Sequence, residues 1–520
     1  MPDWEYEMRT SSSTEKIFIW IGLLLIASGI IFNEWLLVSF FSPDGAIEPS
    51  TRIAIWLLGF TMVLVGLVLV RYKSKINGYV FREGDSFLKM ILAGGIVLRI
   101  IVYIFLRFHN NDNHIAVVKF IADTGTIPIS GQLGQASHPP LYYLMAAPLA
   151  IIGSPKVVQG LSLLLSIANL LLLYHLIKTT PLLRSLSARR HALLLAVLLP
   201  QFVIFSNFVS NDSLAFLVGT LTFLQAFRYI GRPTRANLVL LAVVLGIGLL
   251  TKGTLFAFVP VLFALVIVMQ LRQGVNLKQH LIAFVTFAAI SLTIGSYKYV
   301  QNMIHFGQPV IGRDELGHKW VSLQKGTYQG SKSIVDFNVV KLARHPSLSE
   351  HTKHSLPLLL YGTFWYSHIP ESNFRATRRY PLSLLPGAIY LLAVIPTLLM
   401  LSGVATSLWR NRSPLALFKS PDSVFGLRLR EIVVILPILF GLVLVLMWGL
   451  KHDAWSFFQS RLLFGSFFSI MILFGLGFEK ACNQRPVVCR MLNVTLIVFY
   501  LVLGSYFMVE IGYILRLTLN

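Results

Sequence analysis

The sequence predicts an all-α membrane protein whose helices cross the bilayer about 13 times. Of its 520 residues, 55% are hydrophobic and 13% are charged, whereas a soluble domain carries roughly 25% charged residues. The apolar residues form long runs that recur from end to end, and Lys and Arg gather in the short segments between them. These observations exclude a soluble globular enzyme and a disordered or fibrous chain.

About thirteen apolar runs approach the roughly 20 residues that a helix needs to cross the hydrocarbon core. In chain order they are 17–41, 52–70, 88–106, 156–178, 191–206, 211–229, 236–250, 253–271, 280–300, 383–404, 431–450, 461–478 and 491–513. Two further apolar stretches, 139–153 and 355–369, are too short or too interrupted by proline to cross. We expect them to form juxtamembrane helices that lie at one interface or re-enter from one side.

The distribution of Lys and Arg orients the chain, because cytoplasmic loops of membrane proteins are enriched in both. The basic loops are 71–87, 178–190, 228–235, 405–430 and 479–490. With these loops in the cytoplasm, the segments 107–155 and 301–382 lie on the outer face. The net charge of +22 is then explained by loops facing anionic lipid, and no basic stretch with interleaved aromatic residues predicts a nucleic-acid partner.

The two cysteines, Cys482 and Cys489, lie in one basic loop. The predicted orientation places this loop on the reducing side of the membrane, so we expect free thiols. Two cysteines without a nearby histidine pair do not make a four-ligand zinc site.

The first outer loop carries the most informative polar residues. Asp112 lies just past the end of a predicted span, and the run His138-Pro139-Pro140-Leu141-Tyr142-Tyr143 opens the juxtamembrane helix that follows. A carboxylate at an apolar interface is desolvated, which raises its pKa toward the range useful to a general base. Taken alone, Asp112 is more typical of a solvated acid that caps the helix after it than of a general base.

This loop resembles the first outer loop of the GT-C superfamily of polyprenyl-phosphate-sugar glycosyltransferases. It is most similar to the branch of the protein O-mannosyltransferases and lipid A aminoarabinose transferases. In these enzymes an acidic motif ends a span, and a segment similar to His138–Tyr143 follows. Asn113 stands where many relatives have a second acid, so a divalent metal stays an open alternative that the missing carboxylate weakens. No other cofactor is expected.

Four later segments extend the resemblance over most of residues 88–480. They are Leu199-Pro200-Gln201 through Asn211-Asp212-Ser213, Gly248-Leu249-Leu250-Thr251-Lys252-Gly253, Tyr299 to Pro309, and Gln459-Ser460-Arg461. The resemblance implies a GT-C-like bundle with outer-face juxtamembrane helices. We divide it into an N-terminal tail with two extra spans (1–87), a catalytic core (88–300), a large outer loop (301–382) and C-terminal spans (383–520).

The resemblance also implies roles for single residues. Asp112 is the expected catalytic base, and Lys252 and Arg461 are expected to hold the donor phosphate, although both could instead extend toward lipid headgroups. The other expected substrate contacts are His138, Tyr142, Asn302 and Gln459. For His138 and Tyr142 we keep the alternatives of a helix-start residue and an interfacial anchor. We expect Asp212 to be structural, either pairing with Lys252 or capping the next helix.

These features predict an inverting glycosyltransferase of the plasma (inner) membrane with its active site on the extracytoplasmic face. Its partners would be a polyprenyl-phosphate-sugar donor, a glycan, lipid or protein acceptor, and membrane lipids. A polytopic transporter or flippase of a lipid-linked or anionic solute is the alternative. The chain lacks the inverted repeat that many such transporters carry. A polysaccharide polymerase or ligase would use the same carrier without the loop of Asp112.

Overall fold

The computed structural model describes residues 84–108, 112–312, 315–317, 324–366, 368–369, 374–379, 381–413 and 418–519, together with scattered positions between 15 and 77. Within this part of the chain the regular secondary structure is helical, apart from an isolated β-bridge between Ser130 and Leu133. The predicted all-α class is confirmed.

Nineteen α-helices follow one another from residue 84 onward in the described part of the chain. Their bounds are α1 Gly84–Phe105, α2 His114–Thr124, α3 Leu141–Ile152, α4 Pro155–Thr179, α5 Leu186–Leu198, α6 Pro200–Phe205, α7 Asp212–Gly231, α8 Arg235–Thr251, α9 Phe258–Arg272, α10 Leu277–Gly295, α11 Tyr297–Phe306, α12 Lys332–Val335, α13 Val339–Arg344, α14 Leu356–Trp365, α15 Leu384–Leu392, α16 Val394–Arg410, α17 Asp422–His452, α18 Phe467–Gln484 and α19 Pro486–Leu519. Short 3₁₀ helices include Gly253–Ala257, Trp455–Phe457 and Ser460–Ser466.

Nine helical segments among the described residues are long and apolar enough to cross a membrane. The predicted count of about 13 spans is not confirmed. The predicted spans 17–41 and 52–70 lie largely outside the described residues. Both stretches that were expected not to cross form short helices, α3 with 12 residues and α14 with 10.

Proline and glycine break two of the predicted spans. The span 191–206 is two helices, because Pro200 has no backbone N–H for the preceding turn and begins α6 instead. The span 280–300 ends at Gly295, and the chain then enters the amphipathic helix α11.

Polar side chains cap several helices at their starts. The side-chain oxygens of Ser185, Thr234 and Asn276 each accept a hydrogen bond from the backbone N–H three residues later. Such caps satisfy backbone donors that the first helical turn leaves without a partner.

The chain divides into two compact units, Met1–Ala93 with Met508–Asn520, and Gly94–Phe507. In the second unit α7 and the segment Trp455–Gln484 are the most buried of the candidate spans. Glycine allows close helix packing there, since a Cβ at Gly477 would lie 1.8 Å from the carbonyl oxygen of Leu399 in α16.

Cys482 and Cys489 form a disulfide, so the expectation of free thiols is wrong. The last turn of α18 and the first turn of α19 carry these residues, and the chain turns between them at Arg485 and Pro486. This turn brings the two Cα atoms to 4.3 Å.

Candidate active site

The end of α1 fixes where the loop that carries Asp112 begins. Lys156 Nζ donates to the carbonyl oxygen of Leu106 at 2.8 Å, and Gln159 Nε2 donates to the same oxygen at 3.3 Å. Both donors belong to α4, so this helix holds the carbonyl end of α1. Asn113 adopts a left-handed conformation with φ 51° as the N-cap of α2, which leaves Asp112 in the turn just before that helix.

Four charged residues form a row in which negative and positive groups alternate, and we call it the charge row: Asp112, Arg461, Asp212 and Lys252. Arg461 Nη1 lies 3.1 Å from Asp112 Oδ2 and 3.9 Å from Asp212 Oδ2. Lys252 Nζ forms an ion pair with Asp212 Oδ1. The structure thus brings together the predicted base and both predicted phosphate-binding cations. Asp212 lies between the cations, and of its two expected roles it takes the pairing with Lys252.

Solvent exposure differs sharply along the charge row. The side chain of Asp112 is 38% exposed and that of Arg461 11%, whereas those of Lys252 and Asp212 are 8% and 2% exposed. Asp112 is therefore the member of the row that an incoming acceptor reaches most easily.

Neighbouring elements hold Asp212 in place. Ser210 Oγ donates to Asp212 Oδ2 at 2.8 Å, and Asn211 Nδ2 donates to the carbonyl oxygen of Thr251 at 3.2 Å. The first turn of α7 is therefore joined to the end of α8, where Lys252 follows Thr251.

Arg461 is positioned from two sides. It belongs to the 3₁₀ helix Ser460–Ser466, and its guanidinium carbon lies 4.4 Å from the centre of the Phe205 ring. This 3₁₀ helix lies directly against α7, because a Cβ at Gly219 would be 1.9 Å from the carbonyl oxygen of Gly465. Only glycine allows this approach, which sets the distance between Arg461 and Asp212.

His114 connects Asp112 with two further ring side chains, those of Tyr143 and His138. His114 Nδ1 is 2.7 Å from the hydroxyl of Tyr143, and His114 Nε2 is 4.0 Å from Asp112 Oδ2. The His138 ring stacks on that of His114 with centroids 5.7 Å apart. His114 was not among the predicted site residues. Its position two residues after Asp112, at the start of α2, is the signal that could have found it.

Tyr142 is fully buried, and its hydroxyl lies 2.8 Å from Ser162 Oγ in α4. Burial raises the pKa of Tyr142, so the phenol stays protonated. Tyr142 therefore joins α3 to α4 in this structure, and its predicted contact with substrate stays a prediction.

Asn302 lies in α11, and its side chain bonds to the loop after α2 and to the segment after α11. Its Oδ1 accepts from Ser130 Oγ at 2.6 Å, and its Nδ2 donates to the carbonyl oxygen of Pro309 at 3.1 Å. Lys298, one turn earlier, donates to the carbonyl oxygen of Pro128 at 3.0 Å, and burial lowers the pKa of Lys298 to about 8. These contacts hold the segment 128–130 of the first outer loop on α11.

The remaining predicted site residue, Gln459, is buried two residues before Arg461. Among the described residues no hydrogen-bond partner reaches its side-chain oxygen. No group of three or more His, Cys, Asp or Glu side chains that could hold a metal ion occurs in the described part of the chain.

Comparison with known proteins connects this geometry to a family. Residues 137–295 match the sequence model of the dolichyl-phosphate-mannose-protein mannosyltransferase family. The resemblance to GT-C glycosyltransferases is thereby confirmed over this segment. The segment contains His138, Tyr142, Asp212 and Lys252. Nine helical segments among the described residues are long and apolar enough to cross a membrane, so the matched segment belongs to a chain suited to cross the membrane several times.

A solved structure, the arabinosyltransferase EmbB from Mycobacterium smegmatis, is similar at 13% sequence identity with a TM-score of 0.37. The match covers 90% of this chain and 45% of that one. No curated protein matches the chain significantly. At this TM-score the likeness supports no functional argument, so function is inferred from the family match and the charge row.

Proposed function

We propose that the protein is an inverting glycosyltransferase that moves a sugar from a polyprenyl-phosphate carrier to a hydroxyl or amine acceptor. The observation that carries the proposal is the charge row, in which the partly exposed carboxylate of Asp112 contacts Arg461, and the buried Asp212 lies between Arg461 and Lys252. The family match supports the transfer of a lipid-linked sugar, and the count of basic residues supports a site on the extracytoplasmic face of the plasma membrane.

Asp112 acts as the general base in this proposal. It takes the proton from the acceptor while the acceptor oxygen or nitrogen attacks the anomeric carbon. The bond between that carbon and the phosphate oxygen breaks, and the phosphate leaves with the electron pair. A single direct displacement inverts the anomeric configuration and needs no covalent enzyme intermediate.

His114 positions the base. A carboxylate favours an N–H group over a nitrogen lone pair, so Nε2 carries the proton and Nδ1 accepts from the hydroxyl of Tyr143. His114 Nε2 and Arg461 Nη1 both approach Asp112 Oδ2. The hydrogen bond from Arg461 at 3.1 Å fixes the rotation of the carboxylate, and His114 at 4.0 Å limits its movement.

Arg461 and Lys252 stabilise the negative charge on the leaving phosphate. The charge row contains two carboxylates and two cations, so their charges cancel before the donor binds. Phosphate would bind as Arg461 exchanges its longer 3.9 Å contact with Asp212 Oδ2 for a phosphate oxygen and keeps its hydrogen bond to Asp112. Arg461 is suited to this exchange, because a guanidinium can bind two oxygens side by side.

The test uses the purified protein in liposomes with a set of radiolabelled polyprenyl-phosphate sugars and their acceptors. Asp112→Asn should lower transfer about 10²- to 10⁴-fold, the usual contribution of a general base. Asp123→Asn, an exposed acid in the following helix, is the matched control and should leave transfer unchanged. His114→Gln should lower kcat more than it raises KM and should shift the pH profile of the reaction.

Two results would overturn the proposal. One is full transfer by correctly inserted Asp112→Asn protein. The other is movement of the intact lipid-linked sugar across the membrane without cleavage of its phosphate bond, which would favour a flippase.

A further inference from the structure

A small pocket lies in the segment 338–351, apart from the charge row, and we call it the basic pocket. Its volume is about 130 Å³. It is lined by Asn338, Val340, Lys341, Arg344, His345 and His351.

The helix that carries three of these six residues is firmly held. Leu342 in α13 is fully buried, and the carbonyl oxygen of Ala343 lies 2.9 Å from where a Cβ would stand on Gly387 in α15. One face of α13 therefore packs on the helices beneath it. Lys341 is half-buried and Arg344 is exposed, so both side chains reach the surface.

A buried histidine holds the turn that carries His351. His368 Nδ1 donates to the carbonyl oxygen of Pro346 at 2.9 Å, and His368 Nε2 lies 3.2 Å from Thr352 Oγ1. Burial lowers the pKa of His368 to about 4, so this side chain is neutral at neutral pH and adds no charge. The position of His351 is thus set by the fold and not by the pocket itself.

The two pocket histidines face each other. The rings of His345 and His351 stack with centroids 4.4 Å apart and an angle of 25° between their planes. Nearly parallel imidazoles direct their ring nitrogens outward from the stack and not toward one shared metal ion. Lys341 and Arg344 beside them further disfavour a cation.

The nearby acids only partly balance this charge. Asp336 Oδ2 is 2.7 Å from Lys341 Nζ. Glu350, next to His351, is directed toward Lys353 at 2.7 Å and His354 at 3.8 Å. Basic groups therefore exceed acidic groups at the pocket, a pattern that attracts anions.

We propose that the basic pocket binds a phosphate group. An ammonium, a guanidinium and two imidazoles supply donors from several directions, which suits the three or four oxygens of a phosphate better than the two of a carboxylate. The volume is well below the roughly 300 Å³ of the smallest usual organic-ligand pockets, so it fits a single small group. The phosphate belongs either to a free ion or to a lipid headgroup, and the chemistry of recognition is the same.

The experiment titrates inorganic phosphate into the full-length protein in phosphatidylcholine nanodiscs, with calorimetry as readout. Wild-type protein should bind with saturation, and His345→Gln/His351→Gln should bind at least about tenfold more weakly, the effect of losing one charge-assisted hydrogen bond. Arg344→Gln should weaken binding similarly. Lys332→Gln, an exposed basic residue of the same loop, is the control and should not change it.

Nanodiscs that contain phosphatidic acid separate the two sources. If a lipid headgroup occupies the pocket, phosphatidic acid competes with inorganic phosphate. The apparent affinity of the wild type for inorganic phosphate then falls in these discs, by a factor at least threefold larger than the fall for Arg344→Gln. Equal affinity in both kinds of disc assigns the pocket to free phosphate. Absence of saturable binding, or equal binding by the wild type and by double-variant protein that is folded and monodisperse, would overturn the proposal. The glycosyltransferase assignment does not enter this test.

Discussion

The buried ion pair between Asp212 and Lys252 can be broken from either side, and we expect the two losses of stability to differ. Asp212→Asn leaves the ammonium of Lys252 buried beside the positive charge of Arg461. Lys252→Met leaves Asp212 with the hydroxyl of Ser210 at 2.8 Å and the guanidinium of Arg461 at 3.9 Å. The acid therefore keeps partners that the lysine does not have.

The magnitudes follow from these distances. At an effective dielectric constant of roughly 20, opposite charges 3.9 Å apart attract by about 4 kcal/mol, so Arg461 can replace much of the lost partner of Asp212. We expect Asp212→Asn to cost about 3–5 kcal/mol of unfolding free energy, as is usual for one unpaired buried charge. Lys252→Met should cost roughly 1–3 kcal/mol. The double variant Asp212→Asn/Lys252→Met should be more stable than Asp212→Asn alone, because it leaves no unpaired lysine.

Equilibrium unfolding in mixed micelles, followed by tryptophan fluorescence, measures these differences. Asp422→Asn is the control. The side chain of Asp422 is 94% exposed, so its ion pair with Arg272 should contribute about 1 kcal/mol or less to the unfolding free energy. Equal losses for the two single variants, or a double variant less stable than Asp212→Asn, would refute the assigned pairing.

One further prediction concerns the packing around the site, and another concerns the lysine of α11. Gly219→Ala should lower both transfer activity and stability, because a methyl group there meets the carbonyl of Gly465 and displaces the 3₁₀ helix that carries Arg461. Transfer assays and thermal unfolding measure the two effects. Unchanged activity would contradict the prediction. The pKa of about 8 for Lys298 means that the folded protein releases this proton above pH 8, while the unfolded chain keeps it until about pH 10.4. The free energy of unfolding should therefore rise with pH in this window for the wild type relative to Lys298→Met, and parallel pH profiles would show the shift to be absent.

Much of the helical framework could be predicted from composition and periodicity. The run 156–178 corresponds to α4 at Pro155–Thr179, and 211–229 corresponds to α7 at Asp212–Gly231. Apolar runs of this length have few other ways to satisfy their backbone groups inside a membrane. The predicted helix bounds were wrong where a single residue ends a helix inside an apolar run, as Pro200 does within 191–206.

The candidate site was predictable only in part. Asp112 was identified from the resemblance of its loop, and Lys252 and Arg461 also because charged residues beside apolar spans are costly and mark functional sites or ion pairs. The central position of Asp212 and the contact of His114 with Tyr143 were not predicted. Both depend on distances between side chains of different helices, which local patterns do not contain.

The amino-acid sequence by itself determined that the chain forms apolar helices and which polar residues interrupt them, because the burial of the backbone in lipid depends on local composition. The tertiary structure decided which of these polar residues meet. Arg461 and Asp112 are 349 positions apart, yet their side chains lie 3.1 Å from each other. Contacts over such separations arise from the packing of whole helices, and no local pattern specifies them.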